Sequence, residues 1–280
     1  MTAAQPFFDS ATTKFTALEP HCTAQPSCSS TCGIEDAARS VLIPNSNRRI
    51  DLAGDAFRLG LFNTLHKRLL RMIDKLIESD PHAAEGGSHQ WPEQQLIYQR
   101  LATLPHLGAA PTICEIGFNA GSSALLWLVA QPSARVYFFD LGVHRGVDAA
   151  YRWLVEEPAL NASGRLHLIR GPSNETVPRF HANHPHVRCN LLSIDGGHER
   201  PVAQGDLENF QMLADGCCHV GLIDDCPLAT TSRTSYTQGV IGAFHHFQRA
   251  KRVCSLFTAV RETSQELGSL RGLTVFTYKT

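Results

Sequence analysis

The sequence predicts an α/β fold, a Rossmann-like, seven-stranded, mostly parallel sheet with helices on both faces. Three observations predict it. From residue 110 onward, short apolar runs alternate with amphipathic stretches, the pattern of a parallel sheet covered on two sides. The first run opens into Glu115-x-Gly117-x-x-x-Gly121 and then an apolar helix, a turn whose glycines let backbone press against a ligand. Later runs end on acids, at Asp140, Asp195 and the pair Asp224 and Asp225. In open α/β sheets the carboxyl ends of strands form the ligand crevice.

Taken in order, strands fall near 112–117, 135–140, 165–170, 189–195, 219–224, 252–260 and 273–278. Helices run from Gly121, over 147–156, from Ser173, over 199–213 and over 235–250. Upstream, Phe62, Leu65, Leu69, Met72, Ile73 and Leu76 recur at three- and four-residue intervals while Lys67, Arg68, Arg71 and Lys75 fall elsewhere. That is an amphipathic helix from Asp55 to about Asp80, serving either as core packing or as a lid or homodimer contact. Gly86 and Gly87 break the chain before a short helix from Pro92 to Leu104. Residues 1–50 mix Pro, Ser, Thr, Ala and Cys without period and read as a poorly ordered leader. The expected organisation is a leader over 1–50, a helical extension or lid over 51–108, and a catalytic domain over 109–280.

Composition narrows the function classes. At 280 residues, 43% hydrophobic and 18% charged, the chain can bury a substantial core as one elaborated domain. Lys and Arg total 25 against 26 for Asp and Glu, so no net basic field draws a nucleic acid partner. No apolar run reaches the ~18 residues of a spanning helix, and the N-terminus lacks a hydrophobic signal core. A soluble cytoplasmic protein acting without a membrane is expected. Nine cysteines is an odd number, and Cys114, Cys189 and Cys254 sit in strands as apolar filler, so no disulfide framework is expected. Cys22, Cys28 and Cys32 beside His21 match none of the paired-cysteine zinc spacings and read as part of a mobile tail.

Asp140 lies 19 residues beyond Gly121, where an acid at a strand end can accept ribose hydroxyls of a bound nucleoside. Dinucleotide folds usually carry a third glycine to admit a pyrophosphate, whereas Phe118 and Asn119 fill that space here. An NAD-dependent oxidoreductase is disfavoured accordingly. E-x-G-x-x-x-G instead resembles motif I of the class I S-adenosylmethionine-dependent methyltransferases. The resemblance implies that Gly117 and Gly121 shape the cofactor turn, that Glu115 reaches the cofactor amino group and that Asn119 and Ser122 contact its carboxylate. It also implies that Ser173, after the third strand, touches the adenine.

A second constellation is Ile194-Asp195-Gly196-Gly197-His198, then Asp206, then Leu222-Ile223-Asp224-Asp225. Neighbouring strand ends would bring Asp195, Asp224 and Asp225 together, where they repel unless a cation compensates. A hard divalent ion such as Mg²⁺ suits such carboxylates. The structural alternative is that Asp195-Gly-Gly is a turn and that Asp224 or Asp225 caps a following segment.

With motif I, these segments resemble the class I group that includes macrocin O-methyltransferase and cephalosporin-hydroxylase-like proteins, over residues 110–280. The resemblance implies an antiparallel last strand, Asp195, Asp224 and Asp225 as metal ligands, and O-methylation of a hydroxylated small molecule. Two departures stand out. Gly216-Cys217-Cys218 replaces the usual Gly-Gly before the fifth strand, and Gly197 stands where some relatives carry an acidic base. His198 is the nearest substitute, so Asp195 and His198 are the catalytic candidates. A non-catalytic cofactor-binding protein and a metal-independent N-methyltransferase are the competing readings. Acceptor identity would be set by residues 40–105 and the loop from Pro227 to Tyr236, which carry no signature.

Overall fold

A computed structural model describes residues 15–16, 33–39, 41, 52–80, 82, 84, 92–228, 235–262 and 270–279. Among the described residues eight strands form: β1 (Phe15–Thr16), β2 (Thr112–Ile116), β3 (Arg135–Asp140), β4 (Leu166–Arg170), β5 (Leu191–Ile194), β6 (Val220–Ile223), β7 (Val253–Glu262) and β8 (Leu270–Tyr278). The last seven are the expected ones, and β1 adds two residues at the sheet edge. Their order is β1-β7-β8-β6-β5-β2-β3-β4. Strands β2 to β6 are mutually parallel, and β8 runs antiparallel to both β6 and β7.

This order places β2 between β3 and β5, so the chain leaves β2 toward one side and later returns on the other. Connections diverge there, opening a crevice above the carboxyl ends of β2 and β5. Both the glycine turn and Asp195 emerge at that point.

Among the described residues eight α-helices cover the sheet: α1 (Ile34–Arg39), α2 (Leu52–Ser79), α3 (Pro92–Ala102), α4 (Ser122–Ala130), α5 (Arg145–Glu156), α6 (Ser173–Asn183), α7 (Arg200–Leu213) and α8 (Ser235–Arg249). Helices α2 to α5 share one apolar core, and α6 to α8 share the other. From α2, Phe62, Leu65, Leu69 and Ile73 are buried at helical spacing, each worth roughly 1.5–3 kcal/mol of transfer free energy. They pack against α4, which is apolar around its whole circumference because α2, α3 and the sheet enclose it. The amphipathic helix of the extension is therefore built into this core.

Two findings differ from the sequence reading. The stretch without visible period contains α1, whose Ala37 and Ala38 are buried and which packs on β6 and β7; six residues are too few to show a helical repeat. Cys114 and Cys189 are not filler but a disulfide joining β2 to the segment before β5. Cys217, Cys218 and Cys254 are also disulfide-bonded, and Cys226 is a buried free thiol. His21, Cys22, Cys28 and Cys32 lie outside the described residues. No described helix is long and apolar enough to cross a membrane.

Candidate active site

Gly117 follows β2 with φ +99°, a region open mainly to glycine, and a Cβ there would lie 2.0 Å from the Asp195 carbonyl oxygen. The turn after β2 thus lies directly on the end of β5, bringing the glycine motif against the acidic centre. Asn119 is also left-handed, at φ 46°, and Gly121 precedes α4 at φ 76° with its N–H donating to the Phe118 carbonyl at 2.8 Å. Asp140 ties the turn to β3. Its Oδ2 accepts from the backbone N–H of Phe118 at 2.7 Å and of Asn119 at 3.0 Å, and its Oδ1 from that of Gly142 at 2.7 Å. A carboxylate has about four acceptor positions, so about one is left for a ribose hydroxyl without breaking a backbone bond. Leu141 and Val143, next in the chain, are 60% and 69% exposed, apolar surface beside the expected nucleoside.

Three expected cofactor contacts have their side chains hydrogen-bonded within the protein. Glu115 is wholly buried, and its Oε2 accepts from Trp127 Nε1 at 2.5 Å, so it presents no surface to a ligand. Burial pushes its carboxyl up to about 8, with the Trp127 bond and the nearby Ser123 and Ser193 hydroxyls partly opposing this. Glu115 Oε1 and Ser193 Oγ are both buried without a partner. Ser122 is buried at the start of α4, with its Oγ 2.9 Å from Nε2 of His66 on α2. Ser173 opens α6 half-buried, and its hydroxyl donates to Asp206 Oδ1 at 2.5 Å.

At the acidic centre, single donor atoms of Asp195, His198 and Asp225 all lie within 4.8 Å of one another. His198 Nε2 is 2.9 Å from Asp225 Oδ2, and Arg271 lies 3.7 Å from Asp225 Oδ1. Asp225 has φ 49°, uncommon for a residue with a side chain and a feature that clusters at functional sites. The expected trio included Asp224 and not His198. Asp224 instead accepts from Gln94 Nε2 at 2.7 Å through Oδ2 and from the Asp225 N–H at 2.9 Å through Oδ1. Each of its oxygens thus takes one hydrogen bond, and Asp224 is half-buried where Asp225 is buried.

Electrostatics mark the same place. Burial, then Asp225, raises the Asp224 carboxyl to about 7, with Gln94 and His198 opposing. Asp195 is raised well above the usual range by desolvation, then by Asp224, Glu115 and Asp225. Because Asp195 is exposed to the crevice, its desolvation is incomplete and the neighbouring carboxylates carry more of that shift. Such clustered, frustrated carboxylates in a cleft are a functional-site signature, and the oxygen and imidazole donors fit a divalent cation.

Sequence reasoning missed Gln94 and Tyr98 as parts of the site. Gln94 also donates to the Tyr98 hydroxyl at 3.2 Å, and Tyr98 stacks on Trp127 with centroids 4.8 Å apart. A chain of contacts therefore runs from Asp224 through α3 to Glu115. The only sequence signal was two polar residues on a helix that buries most of its length.

Residues 114–226 match the family described as a methyltransferase domain. Among solved structures, a protein assigned as a caffeoyl-CoA O-methyltransferase from Staphylococcus aureus is 12% identical, with a TM-score of 0.52 over 81% of this chain and 99% of that one. The S-adenosylhomocysteine-bound methyltransferase PaMTH1 of Podospora anserina is 16% identical, with a TM-score of 0.49 over 92% of this chain and 100% of that one. CalS11, the TDP-rhamnose 3'-O-methyltransferase of calicheamicin biosynthesis, is 15% identical, with a TM-score of 0.46 over 74% of this chain and 91% of that one. Likeness at this identity bears on the fold alone. A search of curated proteins found no match. Residues 114–226 thus carry a methyltransferase domain, set on a sheet whose strands β2 to β6 are parallel.

Proposed function

We propose that the chain O-methylates a hydroxylated small molecule at the acidic centre. One observation carries this reading: the Asp195, His198 and Asp225 donors converge within 4.8 Å on the strand end against which Gly117 packs. A cofactor seated on the glycine turn would hold its methyl beside groups able to ready an oxygen nucleophile. The methyl donor is already activated, so the protein's task is mainly alignment and deprotonation.

The carboxylates fit a divalent cation such as Mg²⁺, and Asp195 and Asp225 would hold it, with the His198 imidazole beside them left as the base. Bound there, a cation would lower the pKa of an acceptor hydroxyl. The chain's own groups do the rest. Asp225 orients the His198 ring, and the imidazole takes the hydroxyl proton. Gln94 keeps Asp224 in place, and the helical extension bounds the acceptor space. A small acceptor fits this crevice better than nucleic acid, given 25 basic against 26 acidic residues.

Radiolabelled methyl transfer to a panel of phenolic and sugar-hydroxyl acceptors, with and without chelator, tests the reading. Transfer that needs added Mg²⁺ and is lost in Asp195→Asn supports it; transfer to amines alone contradicts it. The engaged oxygens of Asp224 favour one second reading, a metal-independent transfer using the Asp225–His198 pair, in which chelation changes nothing.

The bonded cysteines bear on location. Among the described residues, Cys114, Cys189, Cys217, Cys218 and Cys254 are disulfide-bonded and only Cys226 is free. Such bonds persist in oxidising compartments and are rare in the cytosol, so they favour an oxidising compartment over the cytoplasm expected from the sequence. Thiol counting on protein from its native source, before and after reduction, decides between the two.

A further inference from the structure

Asp206 lies on the second turn of α7, 1% exposed. Its Oδ1 takes the Ser173 hydroxyl proton at 2.5 Å, and its Oδ2 is buried without a partner. A Cβ on Gly196 would lie 2.6 Å from that Oδ2, so the loop after β5 passes directly over the carboxylate. Asp206 thus lies beneath two loops bordering the crevice, the one at Gly196 and the one that carries Ser173. Ser173 in turn stands beside the ribose-side acid. Arg170, three residues earlier, is the register partner of Asp140, and the Gly171 N–H donates to the Asp140 carbonyl at 2.9 Å.

A serine hydroxyl has one proton and two lone pairs, and an ionised carboxylate accepts only. Once Ser173 gives its proton to Asp206, its oxygen can offer only lone pairs to anything in the crevice. The 6-amino group of adenine is a donor and matches that. The 6-oxo group of hypoxanthine is an acceptor and faces a second acceptor instead, and a site built around such a bond discriminates strongly against the mismatch.

We propose that Asp206 is a specificity-determining positioning residue for the cofactor base: by holding the Ser173 proton, it makes Ser173 an acceptor for the adenine 6-amino group. This rests on the reading of Ser173 as the adenine contact. Asp206 itself touches no cofactor, since its free oxygen is sealed under Gly196.

The test is calorimetric titration of the full chain with S-adenosylhomocysteine and with S-inosylhomocysteine, which differ at purine position 6. The wild type is expected to prefer the adenine ligand by tenfold or more. In Asp206→Ala the Ser173 proton is released and can serve the 6-oxo group, so the preference should collapse toward parity. In Asp206→Asn the side-chain oxygen still accepts that proton, and the preference should be retained, an outcome that loss of packing alone would not give. Equal thermal midpoints among the variants confirm comparable folding, and Asp206→Asn preserves the test if Asp206→Ala does not fold. An unchanged preference in Asp206→Ala, or a lost one in well-folded Asp206→Asn, overturns the proposal. Ser173→Ala separates the two levels: if it leaves the adenine preference intact, the reading of Ser173 fails and the proposal with it.

Discussion

Replacing Glu115 with glutamine should stabilise the protein at neutral pH, an unusual expectation for a buried residue at a cofactor motif. The carboxyl is pushed from 4.5 to about 8 by burial, so the folded state holds a proton there that the unfolded chain has released. The sign follows from linkage: stability is greatest below the unfolded value and falls as pH rises through the window from 4.5 to about 8. At pH 7.5, three units above the unfolded value, keeping that proton costs about 4 kcal/mol at ~1.4 kcal/mol per unit. Glutamine is neutral throughout, can still accept from Trp127 Nε1, and turns an amide toward Ser193. Allowing for imperfect amide geometry, Glu115→Gln should gain about 2–4 kcal/mol at pH 7.5, roughly 5–10 °C in midpoint for a chain of this size.

Thermal unfolding followed by circular dichroism at pH 4.5, 6 and 7.5 gives the answer. The difference between variant and wild type removes the titration of Asp195 and Asp224 common to both proteins and leaves that of Glu115 with its coupling to them. The gain should vanish near pH 4.5, and S-adenosylhomocysteine affinity should change less than threefold, because Glu115 presents no surface to the ligand. Destabilisation at pH 7.5, or a gain independent of pH, would show that the carboxylate is ionised and paired, refuting the reasoning.

Other expectations follow from single contacts. Gln94→Leu leaves Asp224 Oδ2 without its side-chain donor and should cost about 1–3 kcal/mol in urea unfolding, with cofactor affinity unchanged and methyl transfer reduced. Gly117→Ala forces a Cβ to 2.0 Å from the Asp195 carbonyl in a left-handed residue, so calorimetry should show no S-adenosylhomocysteine binding even where the protein folds. Cys114→Ser removes a bond across 75 residues and should lower stability by up to about 4 kcal/mol on the chain-entropy account, read by denaturant unfolding against wild type.

The sheet was legible because buried parallel strands read as apolar runs bounded by turn residues, and all seven long strands fell where such runs did. The acids at strand ends were legible for the same reason, since position on a strand end predicts convergence. Direction was not. Glu115 sits in β2, covered on both faces, so alternation could not say whether its carboxyl faced ligand or core. Which residues of α3 would reach Asp224, 130 positions away, depends on how that helix docks, and no local pattern encodes docking. Two cysteines in adjacent apolar segments look the same as sequence whether they are filler or a disulfide, and only the distance between β2 and the residues before β5 decides.

The account rests on the glycine turn and Asp140 forming an S-adenosylmethionine pocket. Titration of the purified chain with S-adenosylhomocysteine, alongside Asp140→Ala, tests that most directly. We expect saturable one-to-one binding by the wild type, weakened at least tenfold in the variant, which loses both a ribose acceptor and the backbone bonds to Phe118, Asn119 and Gly142. Equal affinity in the two proteins, or no binding by the wild type, would contradict it.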